Sequence, residues 1–185
     1  MSNTPDLGQD IRALRTARKM TLETLAQKLG KSLGWVSQVE RNLSTPTMDD
    51  LRDIARVFDV PLSLFFGTAP APEKERGRIV RASARRHIGA HETGLVETLI
   101  SPDLTDDFEV IHSTFQPGAA REEVITRPTT EVAYMISGTL ELWIDGEKFT
   151  VSAGDSFRIR GDSYRWANPY DTPAIAVWVI SPPVY

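Results

Sequence analysis

The side chains best suited to recognition chemistry lie in a short run between residues 32 and 38. Gln38 carries an amide that can bond to both N6 and N7 of adenine in a DNA major groove, and Ser37 can bond to several base edges. Leu33 and Gly34 are poor direct readers, but their modest size lets a helix approach the bases closely. These residue types favour contact with DNA bases through one helix face.

Two short helices joined by a tight turn must carry this run. Thr21 and Ser32 each precede a predicted helix as an N-cap, and the helix starts behind them could also meet phosphates. Gly30 ends the first helix, because glycine readily adopts the left-handed conformation there. In the second helix, Val36 and Val39 are expected to turn inward, which leaves the polar run facing outward.

The charge of the chain is unevenly distributed. Residues 1–66 hold nine Lys/Arg and eight Asp/Glu, whereas residues 78–185 hold ten and fifteen. Within residues 11–41 there are seven basic residues and two acidic ones. A local basic face on an acidic protein is typical of phosphate contact, although an ordinary solvated helix surface has the same composition.

Composition excludes several classes of protein. With no cysteine, the chain has no disulfide, thiolate metal site or cysteine nucleophile, which fits a cytoplasmic protein. No apolar run approaches the roughly 20 residues that cross a bilayer, and the first residues do not resemble a signal peptide. We expect no membrane association, no catalytic residue and no cofactor.

The sequence divides into two domains of different class. Helical periodicity predicts five helices over residues 1–66, the last opened by Pro61. Residues 67–77 read as a semi-extended linker of Pro, Ala and alternating charges. Short alternating strands and turns fill residues 78–185, and Asp145-Gly146 is a strong hairpin signal. The predicted fold is therefore multidomain, with an all-α part followed by an all-β sandwich or barrel.

The helical part resembles the lambda-repressor-like, or XRE, family of helix-turn-helix proteins. The resemblance rests on three segments at 11–30, 32–42 and 44–66. It implies that Leu33, Gly34, Ser37 and Gln38 meet bases. It also implies an internal ion pair between Arg15 and Glu40. By the same resemblance, four residues lie near the DNA backbone: Gln27, Lys31, Arg41 and Trp35. Trp35 could instead cover apolar protein surface.

The β-rich segment 117–169 resembles the core of the cupin superfamily, whose fold is a jelly-roll barrel. Glu131 and Gly138 match the end of the first cupin motif, and Gly154 and Asn168 match parts of the second. The resemblance therefore implies an all-β cupin barrel after the helix-turn-helix domain.

The cupin metal ligands are missing from their positions. Ile125 and Arg127 stand where the first motif has histidines, and Tyr164 stands at the histidine of the second. A cupin metal site needs neutral imidazoles around a divalent ion, and an arginine would repel that ion. Only Glu131 survives, and the three histidines of the chain lie elsewhere: His87, His91 and His112. We expect no metal.

What remains is a barrel cavity able to take a small-molecule effector. Arg127, Glu131 and Tyr164 would form a polar cluster, with Trp166 on the same face as Tyr164. A guanidinium beside a carboxylate suits a zwitterion such as an amino acid. Alternatively, Arg127 and Glu131 pair with each other in an empty barrel. His112 could also line the cavity, or be an ordinary hydrogen-bonded core residue.

These features together predict a homodimeric transcriptional regulator that binds double-stranded operator DNA and senses an effector. Regulators of this resemblance are associated with amino-acid, polyamine or sulfur-compound metabolism. One alternative is a metal-dependent cupin enzyme with an appended DNA-binding domain. Another is a DNA-binding dimer that responds to no ligand.

Overall fold

The computed structural model describes residues 7–60, 62–66, 72–75, 77–88, 94–102, 104 and 106–184. They form two compact units, one drawn mainly from the first 86 residues with part of 102–107, the other from 87–101 and 108–184. The predicted domain boundaries after residues 66 and 77 stay a prediction. Pro61, His91 and residues 67–71 and 76 of the predicted linker lie outside the described residues.

The described residues of the first unit form four α-helices. They are α1 (Leu7–Ala17), α2 (Leu22–Leu29), α3 (Leu33–Glu40) and α4 (Met48–Phe58). The expected fifth helix is instead a 3₁₀ segment at Leu62–Phe65. Four residues are too few for a stable α-helix, so the short apolar run packs as one tight turn instead. Two further 3₁₀ turns, Glu73–Glu75 and Ala82–Ala84, follow.

Local sequence signals set the helix ends. The Thr21 hydroxyl accepts the Thr24 N–H at 3.0 Å, and the Ser32 hydroxyl accepts the Trp35 N–H at 3.1 Å. Thr47 caps α4 through a complete capping box with Asp50. Gly30 ends α2 with φ 63°, as expected of a left-handed cap. The predicted boundaries of α2, α3 and α4 are therefore confirmed at their capping residues.

The α3 helix is held in place from α1. Nε and Nη2 of Arg15 donate to the two carboxylate oxygens of Glu40 at 2.6 and 3.0 Å, and Nη1 donates to the Met20 carbonyl. The implied Arg15–Glu40 ion pair is thus present. At the start of α1, a Cβ on Gly8 would lie 2.3 Å from the Val39 carbonyl oxygen, so only glycine allows this close approach.

The second unit is built from antiparallel strands in two sheets. The strands are β1 (Arg86–Ile88), β2 (Leu95–Leu99), β3 (Glu109–Phe115), β4 (Ala120–Ile125), β5 (Thr130–Ser137), β6 (Thr139–Ile144), β7 (Glu147–Ser152), β8 (Ser156–Arg160), β9 (Tyr164–Ala167) and β10 (Ala174–Ser181). One sheet has the order β1-β2-β3-β10-β5-β8, and the other β4-β9-β6-β7. Asp145 and Gly146 close the predicted two-residue hairpin with φ 49° and 83°.

Strand alternation places the core between the two sheets. Ala133, Met135, Ala176 and Trp178 turn inward from the larger sheet and are buried. From the smaller sheet Trp166 turns inward, and its ring meets Phe115 edge-on at 4.8 Å. No helix in the described part of the chain has the length and apolar character needed to cross a bilayer.

Removing the Arg15 guanidinium is expected to destabilise the helical unit strongly. The Arg15 and Glu40 side chains are only 14% and 5% exposed, so Arg15→Ala leaves a buried carboxylate without its partner. We expect a loss of about 3–5 kcal/mol in the free energy of unfolding, measured by urea denaturation. The control is Arg56→Ala, which breaks an exposed pair with Asp53 and should cost well under ~1 kcal/mol. Equal losses in the two variants would contradict this assignment.

Candidate functional site

The outward face of α3 is open to solvent. Val36 and Val39 are buried, whereas Leu33 is 52% exposed, and Gly34 and Gln38 are exposed as well. Three of the four residues predicted to meet bases therefore lie on one accessible helix face, and the fourth, Ser37, is half-buried beside them. The geometry leaves room for a partner against this face.

The hydroxyls of Thr21 and Ser32 both serve their own helices. Each accepts a backbone N–H of the first turn, as an N-cap does. Both side chains are exposed at the starts of α2 and α3. The Thr21 hydroxyl also shares a hydrogen bond of 2.8 Å with the Thr24 hydroxyl, in which either can donate. A capping hydroxyl whose proton is not used in this way can donate it to a phosphate oxygen.

Lys31 is engaged within the protein. Its ammonium lies 2.6 Å from a carboxylate oxygen of Asp50 and 5.0 Å from the ring centre of Trp35. Hydrogen bonds from Lys31 and Thr47 lower the pKa of Asp50 to about 2, so this carboxylate stays ionised. Trp35 is half-buried and lies under the lysine. Sequence reasoning missed the partner because Asp50 lies on a different helix.

Gln27 and Arg41 are both exposed. Nε of Arg41 donates to the Ser37 carbonyl at 3.1 Å, which fixes the side chain along the end of α3. Arg41 thus lies at the C-terminal end of α3, whereas Gln27 belongs to α2.

Inside the β unit, Glu131 is a buried carboxylate held by two hydroxyls. Thr129 donates to its Oε1 at 2.7 Å, and Tyr164 donates to its Oε2 at 3.2 Å. Burial, and next the charge of Glu131, raise the pKa of the Tyr164 phenol, so it remains a donor. The predicted contact between Glu131 and Tyr164 is present, and Trp166 is buried on the same face of β9.

Arg127 is half-buried, and its charge reaches this interior. Burial raises the pKa values of Glu97, Glu109 and Tyr164, and the positive charge of Arg127 opposes part of each rise. Among the described residues, no ion pair joins Arg127 to Glu131. The direct Arg127–Glu131 pair expected of an empty barrel is thus not seen among the described residues, and the polar cluster of Arg127, Glu131 and Tyr164 as a ligand site stays a prediction.

Two interior carboxylates were missed by sequence reasoning. Ser113 donates to Oε1 of Glu97 at 3.0 Å. Glu109 is 0% exposed, and its Oε1 accepts the Val184 N–H at 3.0 Å. The pKa of Glu109 is raised to about 7, and burial is the largest cause of this rise. The alternation of β3 could have revealed Glu109, because it shares a face with Ile111.

His112 lies on the other face of β3. The buried residues of this strand are Glu109, Ile111, Ser113 and Phe115, and His112 alternates with them. It pairs across the sheet with Val177 and Thr98. The structure therefore does not bring His112 together with Arg127, Glu131, Tyr164 and Trp166, since adjacent residues of a strand point to opposite sides.

The residues present do not fit a cupin metal. Both carboxylate oxygens of Glu131 already accept hydrogen bonds from hydroxyl groups. The other ligand positions carry an aliphatic side chain at Ile125, a cation at Arg127 and a neutral phenol at Tyr164. No cluster of three or more His, Cys, Asp or Glu suited to a metal occurs among the residues that the structure describes. The absence of a metal stays a prediction.

The buried Glu109 predicts an unusual pH dependence of stability. Its pKa is higher in the folded protein, about 7, than its ordinary value of 4.5. Between these values the folded state binds more protons, so the free energy of unfolding falls as pH rises from about 4.5 to about 7 and stays low above. Glu109→Gln should abolish a difference on the order of 3 kcal/mol between pH 4 and pH 8, measured by urea denaturation.

The matched control is Glu122→Gln, which removes an exposed carboxylate from β4, the next strand in sequence, which lies in the other sheet. It should keep the pH dependence of the unchanged protein. A Glu109→Gln variant whose stability follows pH as the original protein does would contradict the burial argument.

Comparison with known proteins agrees with this two-part architecture. A family model described as "Helix-turn-helix" matches residues 11–65, and one described as "Cupin domain" matches residues 111–180. The matched segments contain α3 with its open face and the barrel interior around Glu131.

Three similar proteins illustrate the likeness. The HTH-type transcriptional regulator SutR of Escherichia coli K12 is 27% identical over 84% of this chain and 83% of its own length. The HTH-type transcriptional regulator PuuR of the same organism is 23% identical over 82% and 81%. The crystal structure of FeII HppE shares 14% identity, with a TM-score of 0.50 over 97% of this chain and 100% of its own. That last likeness shows the fold alone.

The relatives that align over most of both chains are named as transcriptional regulators, and both halves of this chain match the corresponding domain families. These matches support an XRE-family transcriptional regulator with a helix-turn-helix domain over residues 11–65 and a cupin domain over residues 111–180.

Proposed function

We propose that this regulator recognises a specific operator sequence through the outward face of α3 and responds to a small-molecule effector in its barrel. The observation that carries the proposal is the accessible face of α3, on which Gln38 stands beside small side chains. A glutamine amide in this setting can discriminate adenine from the other bases. The expected setting is the cytoplasm, where operator DNA is found.

The base-contacting group is Leu33, Gly34, Ser37 and Gln38. The capping hydroxyls of Thr21 and Ser32, together with the exposed side chains of Gln27 and Arg41, would hold the helix on the phosphate backbone. Lys31 and Trp35 form a stacked pair braced by Asp50. In this proposal the pair presents a fixed surface to the backbone, and Lys31 can reach a phosphate fully only by leaving Asp50.

The barrel interior supports binding of a small zwitterion. Arg127 makes no hydrogen bond or ion pair with another described residue, so its guanidinium is available to a ligand carboxylate. Tyr164 and Trp166 supply aromatic walls, and buried carboxylates supply negative charge for an ammonium group. A ligand held here would change DNA affinity through a coupling free energy of typically 1–3 kcal/mol.

We infer that the chain is not an enzyme. A metal-dependent cupin enzyme would need ligands for its metal where this barrel offers an aliphatic group, a guanidinium and a phenol. Stoichiometric iron, manganese or zinc in the purified protein would favour the enzyme alternative instead.

Replacing Gln38 is the direct test of base recognition. Gln38→Ala should weaken binding to the preferred site, selected from random duplex DNA, by about 1–3 kcal/mol and relax preference at a single base position. Fluorescence anisotropy against a panel of single-base variants gives both quantities. The control Arg41→Ala should weaken binding to all sequences alike. A Gln38→Ala protein with unchanged preference at every position would contradict the assignment.

A second copy of the chain is expected on the outer face of the larger sheet. Val132, Tyr134, Ile136 and Val179 are each between 42 and 52% exposed there, on the adjacent central strands β5 and β10. Central strands offer no free backbone edge, so this face can be covered only by packing against another surface. A two-fold operator requires two reading helices, so a second copy is the occupant that the function demands.

Light scattering after size exclusion tests the dimer. The unchanged protein should have twice the chain mass of 20.6 kDa, and Tyr134→Glu should reduce it to one chain mass by burying an unpaired charge in the interface. The control is Val124→Glu, which replaces an apolar residue 62% exposed on the other sheet. A Tyr134→Glu protein that remains dimeric would place the interface elsewhere.

A further inference from the structure

Among the described residues of the barrel, two buried polar side-chain atoms have no hydrogen-bond partner. They are Oε2 of Glu109 and the indole Nε1 of Trp178. Their side chains are 0% and 6% exposed. A buried polar group left unsatisfied is costly, and in native proteins such a group usually marks a missing partner. One of the two atoms needs a donor, and the other needs an acceptor.

The two atoms belong to the same interior surface. Ile180 pairs with Glu109 on one side and with Glu131 on the other, so the three residues form a row across β3, β10 and β5. Trp178 lies two residues before Ile180 and pairs with Ile111, two residues after Glu109. Residues two apart share a face, so Glu109 and Trp178 project into the barrel from diagonal positions on adjacent strands.

Protonation does not remove the deficit at Glu109. Its Oε1 already accepts the Val184 N–H, so an added proton would reside on Oε2. That oxygen would then become a donor with nothing to receive its proton. In either protonation state the carboxyl group lacks one partner.

The charge balance of the interior favours a cation as that partner. Three carboxylates, those of Glu97, Glu109 and Glu131, influence one another electrostatically, and the arginines that oppose them are Arg121 and Arg127. Glu131 has both oxygens occupied by Thr129 and Tyr164. Among these three carboxylates, only Glu109 has a buried oxygen without a hydrogen-bond partner.

Aromatic rings stand beside Trp178. Phe157 meets the indole edge-on at 5.2 Å, and the Tyr164 ring lies 6.4 Å away. Ring faces attract ammonium groups, especially where water is excluded. The aromatic wall and the open carboxylate thus favour the same kind of ligand group.

We propose that Glu109, and not Glu131, receives the ammonium group of the barrel ligand, while the Trp178 indole N–H donates to an oxygen of the same molecule. The inference rests on the proposed function, that the barrel binds a small metabolite. It specifies that metabolite as a compound with both an ammonium group and a carboxylate, with Arg127 as the further partner of the carboxylate. Such a ligand satisfies both orphaned atoms at once.

Matched probes test the ligand class with the full-length protein. The panel contains the proteinogenic amino acids and unbranched ω-amino acids of two to six carbons, together with the alkylammonium and carboxylate ions of the same lengths. At least one zwitterion should raise the melting temperature, and its two single-charge analogues should raise it less. The proposal is overturned if no zwitterion raises the melting temperature, which is the result expected if a water bridges Oε2 of Glu109 and Nε1 of Trp178. It is also overturned if the carboxylate ions raise the melting temperature as much as the zwitterions do.

Glu109→Gln tests the position of the ammonium group. The amide preserves the bond from the Val184 N–H but removes the charge, so affinity for the stabilising zwitterion should fall roughly 10- to 100-fold by isothermal titration calorimetry. Glu122→Gln, on the barrel exterior, should bind as the unchanged protein does. A Glu109→Gln protein with full affinity, or a larger loss in Glu131→Gln, would overturn the assignment.

Proton release gives a readout that a merely structural role would not move. A cation binding to Glu109 must expel any proton there, so titrations near pH 6.5 in buffers of different ionisation enthalpy should show proton release in the unchanged protein and none in Glu109→Gln. The charged groups that influence Glu109 from neighbouring elements are Glu97, Arg127 and Glu131. Equal release from both proteins would overturn the proposal. If the protein binds DNA sequence-specifically but no zwitterion changes its melting temperature, this inference is overturned while the proposed DNA recognition stands.

Discussion

A carboxylate removed from water must be given donors or opposite charge, and this chain meets that requirement differently in each of its units. Glu40 receives a two-pronged guanidinium from Arg15, which ties α3 to α1. Glu131 receives two hydroxyls. Glu109 receives a single backbone N–H. The pairing of Glu40 with Arg15 stabilises the helical unit, whereas Glu109 keeps one carboxylate oxygen without a hydrogen-bond partner. The proposed sensing role follows from that difference.

The Arg15–Glu40 pair also explains why α3 can present an accessible face. A short helix has little stability of its own and depends on packing. With Val36 and Val39 buried on one side and Glu40 clamped at its end, α3 is fixed from within. Its outward residues are then free of structural duties, and Gln38 and its small neighbours can be chosen for contact with a partner.

The sequence predicted the elements whose signals are local. Capping residues marked α2, α3 and α4. Short β-rich runs between turn signals marked seven of the ten strands in the described part of the chain, at residues 95–100, 109–115, 131–137, 139–145, 147–152, 155–160 and 174–180. Strands β1, β4 and β9 were missed: β1 and β9 are only three and four residues long, and β4 lies with four of its six residues exposed, so its apolar alternation is weak. Partners distant in sequence were also invisible. No spacing rule joins Lys31 to Asp50, or Glu109 to the backbone of Val184.

The ion pair between Lys31 and Asp50 reduces the number of basic residues in the helical unit that are available to neutralise DNA phosphates. Each phosphate that a protein neutralises releases condensed counterions, so the logarithm of affinity falls with that of salt concentration by about 0.9 per contact. Of the seven basic residues between 11 and 41, Arg15 and Lys31 are already neutralised by internal carboxylates. The chain should therefore displace fewer ions from DNA than the number of its lysines and arginines suggests. Its affinity for operator DNA should be correspondingly less sensitive to ionic strength.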